Sequence, residues 1–237
     1  SLFMLYIEYS KSLHNVNLLC SNILYFFFDY SQQFFKNKEI FSKLDYKSRE
    51  TEFALGVQTV SFTNKQKSFG TEILSQMNVK TNDKLVSIFS RDPSFLKSQD
   101  IDKDWSYHNY RDTNIKSYLK AIKYLIKEGY TVVRIGSEYS KSLGYINDKY
   151  IEYNLSEYKS SFMDLYIPYV STFIIGCKSG ATDLSLLFNT PILITDLTPF
   201  VEAALGKNDL FIQKKIVDLK GNIVPFKELV SNEKLNF

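Results

Sequence analysis

The sequence predicts an α/β protein with a doubly wound parallel sheet, preceded by a helical segment. Three observations carry this expectation. First, short apolar runs at Leu85–Phe89, Thr131–Ile135 and Phe173–Ile175 read as strands buried on both faces, as parallel strands are. Second, helical patterns with apolar stripes separate those runs, and such alternation implies crossover units. Third, the stretch 173–191, FIIGCKSGATDLSLLFNTP, reads as strand, Gly/Ser turn, helix and a second strand start. Its turn falls at the carboxyl end of a strand, where open α/β sheets bind ligands.

Taken in order, residues 1–66 read as two or three helices. Leu2–Tyr9 and Val16–Phe28 are apolar and aromatic, and Phe34, Phe35, Ile40, Phe41 and Leu44 recur at helical spacing. Phe26, Phe27 and Phe28 are candidates for a partner or membrane-surface contact, but the basic flanks of a membrane anchor are missing. Glu52–Phe62 reads as a strand or a linker. From residue 67 the periodicity sharpens into a second domain, 67–237. Lys67–Met77 is helical, with Phe69, Ile73, Leu74 and Met77 on one face. After the strand Leu85–Phe89, the stretch Asp100–Arg111 reads as a loop rich in hydrogen-bonding side chains. Thr113 or Asn114 caps a helix over Ile115–Glu128, and Gly129 closes it. A short strand is expected at Tyr150–Tyr153 and a helix at Ser161–Val170. In the central unit, Thr182 or Ser179 caps the helix Ala181–Phe188, and Asn189-Thr190-Pro191 stops it. Ile192–Asp196 is the next strand, followed by a helical stretch Phe200–Leu205, a strand Leu210–Ile212 and a terminal helix Phe226–Val230.

Composition narrows the function. Lysine and arginine exceed the acids by only 3, which offers no footprint for nucleic acid. The 2 cysteines, Cys20 and Cys177, are too few for a disulfide framework or a zinc site, so a cytoplasmic location is expected. The longest apolar run, Leu18–Phe28, is too short to span a bilayer. The first residue is Ser rather than Met, so a longer parent chain is expected. No metal-carrying motif stands out. Residues 176–180 lack the Gly-Lys-Ser/Thr ending of a phosphate-binding P-loop, and no Gly-x-Gly-x-x-Gly follows the first strand. Cys177 sits at a helix start, where thiols ionise readily, but no histidine in the motif would activate it.

The positive charges follow a pattern instead. Arg91 comes after the first strand, Arg134 ends the second, and Gly136 comes directly after it. The turn Ser179–Asp183 follows the third, and Arg111 lies in the loop leaving the first. Guanidinium groups and a helix N-terminus on one carboxyl edge form a phosphate or diphosphate site. The competing reading makes Arg91–Asp92 and Arg111–Asp112 local ion pairs on a solvated surface.

The blocks IFSRDPSFL, DWSYHNYRDTNI, YTVVRIGS, FMDLYIPYVSTFIIGCKSGATDLSLLFNTPILIT and LFIQKKIVDLKGNIVPFKEL occur in that order over residues 67–237. This series resembles a family of bacterial glycosyltransferases associated with cell-surface polysaccharide gene clusters. The resemblance implies the Rossmann-like, carboxyl-terminal, donor-binding half of a GT-B enzyme. It implies transfer of a sugar from a nucleotide-activated donor to a glycan acceptor, metal-independent and inverting. The donor is a substrate, and no further cofactor is implied. Arg91 stands where fucosyltransferase-like enzymes place the arginine of an H-x-R pattern against the donor diphosphate, with Phe89 at the histidine position. Asp92, Tyr110, Arg111, Arg134, Gly136, Ser179, Gly180 and Asp183 match the family pattern, and Thr182 lies in the same turn. In such enzymes the acceptor side comes from an amino-terminal domain, of which residues 1–66 would be a remnant or a part. A second domain or a protein partner is therefore expected. Asp92, Asp104 and Glu202 are the candidates for a general base. The alternative expectation is a non-catalytic nucleotide- or glycan-binding module, or a partner subunit.

Overall fold

The computed structural model describes residues 60–198 and 206–231, all within the unit Glu50–Phe237. The helices expected before residue 60, the Phe26–Phe28 contact, the helical stretch Phe200–Leu205 and Glu202 lie outside the described residues.

Helix α1, Asn64–Gln76, starts where Thr63 and Gln66 cap each other. Gln66 Oε1 accepts the Thr63 N–H at 2.9 Å, which satisfies a donor that the helix leaves unpaired. It begins before the domain boundary read at residue 67. Strand β1, Lys84–Phe89, follows. A short helix α2, Ser94–Gln99, and two 3₁₀ turns, Ser106–Arg111 and Ile115–Tyr118, then lead into α3, Leu119–Lys127. The single helix expected over Ile115–Glu128 thus opens with a 3₁₀ turn, which the Asn114 side chain caps by accepting the Lys116 N–H. Strands β2, Tyr130–Ile135, and β3, Tyr150–Ile151, precede α4, Ser161–Val170. Then come β4, Phe173–Cys177, α5, Gly180–Phe188, β5, Ile192–Leu197, β6, Leu210–Gln213, and α6, Phe226–Ser231.

The six strands form one sheet in the order β3-β2-β1-β4-β5-β6, and each neighbouring pair is parallel. This is the doubly wound, Rossmann-like α/β fold. The order reverses direction at β1, so β1 and β4 flank the switch point where such sheets bind ligands.

Strand alternation explains the two layers. Leu85 and Phe89 of β1 and Val133 and Ile135 of β2 pack with Leu74, Met163, Tyr166, Ile167 and Phe188, from α1, α4 and α5. Val86, Ile88, Val132 and Ile175 pack with Ile122 and Leu125 of α3 on the opposite face. Both faces are covered, so these strands read as apolar runs rather than alternating ones. Each fully buried aliphatic contributes about 1.5–3 kcal/mol. Close approach is built in where α1 meets α4: a Cβ at Gly70 would sit 2.3 Å from the Tyr166 ring. Strand β4 runs two residues beyond its sequence-based end, and Gly176 belongs to it rather than to the turn. Gly176 pairs with Phe89, and a Cβ there would come within 3.0 Å of the Phe89 carbonyl oxygen. Helix α5 stops at Asn189, whose φ of 51° is the left-handed conformation asparagine tolerates.

Candidate functional site

The strand registers bring the carboxyl ends together. Phe89 of β1 lies opposite Ile135 of β2 and Gly176 of β4, and Gly176 lies opposite Ile194 of β5. The residues just beyond these positions therefore share one edge of the sheet. They are Ser90–Asp92, Gly136, Lys178–Gly180, Asp196 and, after β6, Lys214. Arg91 and Ser179 stand on the same edge, and the Arg91 N–H donates to Cys177 Sγ at 3.0 Å.

Ser179 is the N-cap of α5. Its hydroxyl accepts the Ala181 N–H at 3.2 Å, and Thr182 Oγ1 accepts the Ser179 N–H at 3.0 Å. Thr182 is buried, so its task is to shape the turn. At Gly180 a Cβ would meet nothing within 4 Å, so the turn opens onto free space. Asp183 is exposed and ion-paired with Lys178 at 2.5 Å. Gly136, at a φ of +133°, carries the chain away from β2 where a Cβ would press the Phe89 ring at 3.3 Å. Phe89 is buried beneath the edge.

The arginines do not pair with their sequence neighbours. Arg91 forms an ion pair with Asp112 rather than Asp92, and its Nη1 also donates to the His108 carbonyl at 3.1 Å. Asp92 instead accepts from the hydroxyls of Ser140, at 2.6 Å, and Ser94, and from the Ser94 N–H at 2.8 Å. Burial pushes its carboxyl up, but those hydrogen bonds and the Arg134 charge outweigh burial and hold it below the usual range. The result for Asp112 is the reverse. Burial raises its carboxyl above the ordinary value despite Arg91 and Lys214 nearby.

Arg134 is ion-paired rather than presented at the edge. Residue 134 shares the strand face of Val132, toward α3, and its guanidinium is 2% exposed. Its Nη1 donates to Glu152 Oε1 at 2.6 Å and to the Lys141 carbonyl at 2.8 Å. The expectation that it opens on the crevice with Arg91 treats its place at the strand end as decisive; face alternation is what sends it elsewhere. Arg111 sits at the end of the Ser106–Arg111 turn, its Nη2 donating to His108 Nδ1 at 2.6 Å. Its Nε is buried without a hydrogen-bond partner.

Three further residues complete the edge. Lys214 donates to the carbonyls of Tyr110, at 2.8 Å, and Asp112, at 2.9 Å. Asp196 holds a φ of 50° and accepts from Thr113 Oγ1 at 2.9 Å. Thr113 in turn donates its N–H to the Arg91 carbonyl at 2.9 Å. Extending the strand-end rule to β5 and β6 would have marked Asp196 and Lys214. Nothing in the sequence marks Thr113 as the link between Asp196 and Arg91.

Of the base candidates, Asp92 has both oxygens occupied, and Asp104 accepts from Ser106 on an exposed turn. Cys177 is 1% exposed, and burial raises its thiol above the ordinary value, the opposite of what a nucleophile needs. A separate groove of about 460 Å³ is lined by Gln76–Asn78, Asn147, Asp148 and Tyr150–Glu152, and none of the edge residues above lines it. Among the described residues no cluster of three His, Cys, Asp or Glu side chains could hold a metal ion, and no helix is long and apolar enough to cross a membrane.

No protein-family model matches the chain, and no curated protein matches it. Among solved structures it is similar to the glycosyl transferase family 9 protein from Veillonella parvula, with a TM-score of 0.43 and 11% identity. That similarity covers 75% of this chain and 53% of the other, so this chain spans about half the length of that structure.

Proposed function

We propose that the carboxyl edge between β1 and β4 binds a nucleotide-activated sugar and that the chain serves its transfer to a glycan. The observation that carries this reading is that Arg91 and the open Ser179–Gly180 turn follow the adjacent strands β1 and β4 on one sheet edge, where the Arg91 N–H donates to Cys177 Sγ at the end of β4. The resemblance of the five sequence blocks to polysaccharide glycosyltransferases supports the same conclusion.

In the transfer, an acceptor hydroxyl forms a bond to the anomeric carbon as the bond from that carbon to the diphosphate oxygen breaks. The hydroxyl proton passes to a base, and the electron pair leaves with the nucleoside diphosphate. The Arg91 guanidinium and the positive N-terminal end of α5 supply a fixed positive field for that departing charge, as a metal does in other transferases. Arg111 assists from the turn above. Arg134 acts at one remove, fastening the segment after β2 through Glu152 and Lys141.

Arg91→Ala is expected to abolish nucleoside diphosphate binding, measured by calorimetry over a panel of such nucleotides, whereas Phe89→His leaves it intact. Unchanged affinity in Arg91→Ala would refute the role.

The carboxylates favour a second reading beside the first. Asp92 is held by serines, Asp112 by Arg91, Asp183 by Lys178 and Asp196 by Thr113. None is presented as a base, which fits a donor-binding half or partner subunit whose base and acceptor site come from another domain or chain. Transfer assays with and without a candidate partner separate the two: turnover by this chain alone selects the first.

A further inference from the structure

The His108–Arg111 contact has only one chemical solution. A guanidinium carries five N–H donors and no acceptor, so the ring nitrogen facing Arg111 Nη2 at 2.6 Å must supply a lone pair. His108 Nδ1 is therefore unprotonated, and the ring hydrogen sits on Nε2. The ring also lies against Tyr107, tilted by 39° with centroids 4.1 Å apart, and stacks over Trp105 with centroids 6.3 Å apart.

The match is poor on the arginine side. The Nε/Nη2 edge of a guanidinium offers two parallel donors, and here one meets the imidazole while Nε is buried with no partner. A buried donor left unpaired weighs against the fold. A phosphate or diphosphate oxygen pair has the two acceptors that this edge lacks. Arg91, whose Nη1 rests on the His108 carbonyl, adds positive charge beside it.

We propose that Arg111 holds His108 as the neutral Nε2–H tautomer, and that a phosphate-bearing ligand takes over the Nε/Nη2 edge of Arg111, freeing the ring to accept a proton. Ligand binding at this edge is then coupled to proton uptake. This rests on the diphosphate reading of the edge given above.

The charges around the ring agree. Loss of solvent, then Arg111 and Arg91, lower the His108 imidazole below its ordinary value, with Lys103 acting the same way and Asp112 opposing. Lys214 reaches the neighbouring carbonyls from β6. An incoming anion reverses the balance, so His108 is raised in the complex. The anion accordingly binds more tightly as pH falls through the window between the free and bound values.

The test uses the whole chain. It contains 2 histidines, so His14→Gln leaves His108 as the sole imidazole for nitrogen NMR. The free protein is expected to show the Nε2–H tautomer titrating below about 6.5. Saturating sulfate, which does not titrate near neutrality, should raise that midpoint by about one unit, a tenfold linkage. Calorimetry in two buffers of different ionisation enthalpy should show proton uptake with sulfate, and none in His108→Gln. An Nδ1–H tautomer in the unsubstituted site overturns the proposal whatever the variants do. Anion binding with an unmoved His108 midpoint overturns the coupling but leaves the diphosphate reading standing. No heat from sulfate or any nucleoside diphosphate removes both.

Discussion

Arg91 and Asp92 are adjacent in sequence and part company in the fold. Arg91 reaches across to Asp112, and Asp92 turns to Ser94 and Ser140. Both arrangements fasten loops to the ends of strands: the first holds the Ser106–Arg111 turn over β1, the second ties the segment after β2 to the segment after β1. Asp92 is held below the ordinary carboxylate range because its hydrogen bonds outweigh burial. A carboxyl lowered in the folded state stabilises the fold fully above its unfolded value of about 3.9, and that stability is lost as pH falls through the lower folded value. Asp92→Asn should therefore be less stable than the parent at neutral pH, and the difference should shrink below about pH 4. Urea unfolding at stepped pH checks this, and a difference that stays constant into acid would contradict the account.

At the scale of the element, the β4–α5 unit shows how much a short stretch specifies by itself. The apolar run, the serine before the helix and the Asn-Thr-Pro after it are all local signals, and the structure places a strand, a capped helix and its stop there. Ser179 and Thr182, offered by the sequence as alternative caps, act together in one reciprocal box. Ser179→Ala should cost about 1 kcal/mol, which lowers the melting temperature by roughly 2–4 °C in a chain of this size. A thermal melt followed by circular dichroism measures it. The Asp100–Arg111 stretch was less legible. Its hydrogen-bonding residues mark it as irregular, but the 3₁₀ turn within it is held by Arg91 and Lys214, which follow β1 and β6, and no local pattern encodes that. The missed helix α2 is only six residues long and buries none of its residues, so it lacks the apolar stripe by which helices are recognised.

Across the whole molecule the sheet sets a gradient of stability. Strand β1 is paired on both sides and buried from Leu85 onward, whereas β6 is an edge strand with Leu210, Phe211 and Ile212 exposed. Amide exchange should be slowest at Val86–Ile88 and Val132–Val133 and much faster at Leu210–Ile212, in line with opening free energies that range from near zero to the global value. Equal protection across the six strands would count against this gradient. What the sequence determined alone was the succession of buried strands and helices, the two-sided burial that makes the sheet parallel and doubly wound, and the placement of Arg91 and the Ser179 turn at strand ends. These follow from spacing and capping, which act over a few residues. Only the tertiary structure decided which acid each arginine meets, that Arg134 faces α3 while Arg91 stays at the edge, and that Lys214 and Asp196 join them. Ion pairs form between groups that the fold brings together from distant parts of the chain, and strand alternation under a given helix layer sets a side chain's direction. Neither can be read from the residues on either side of it.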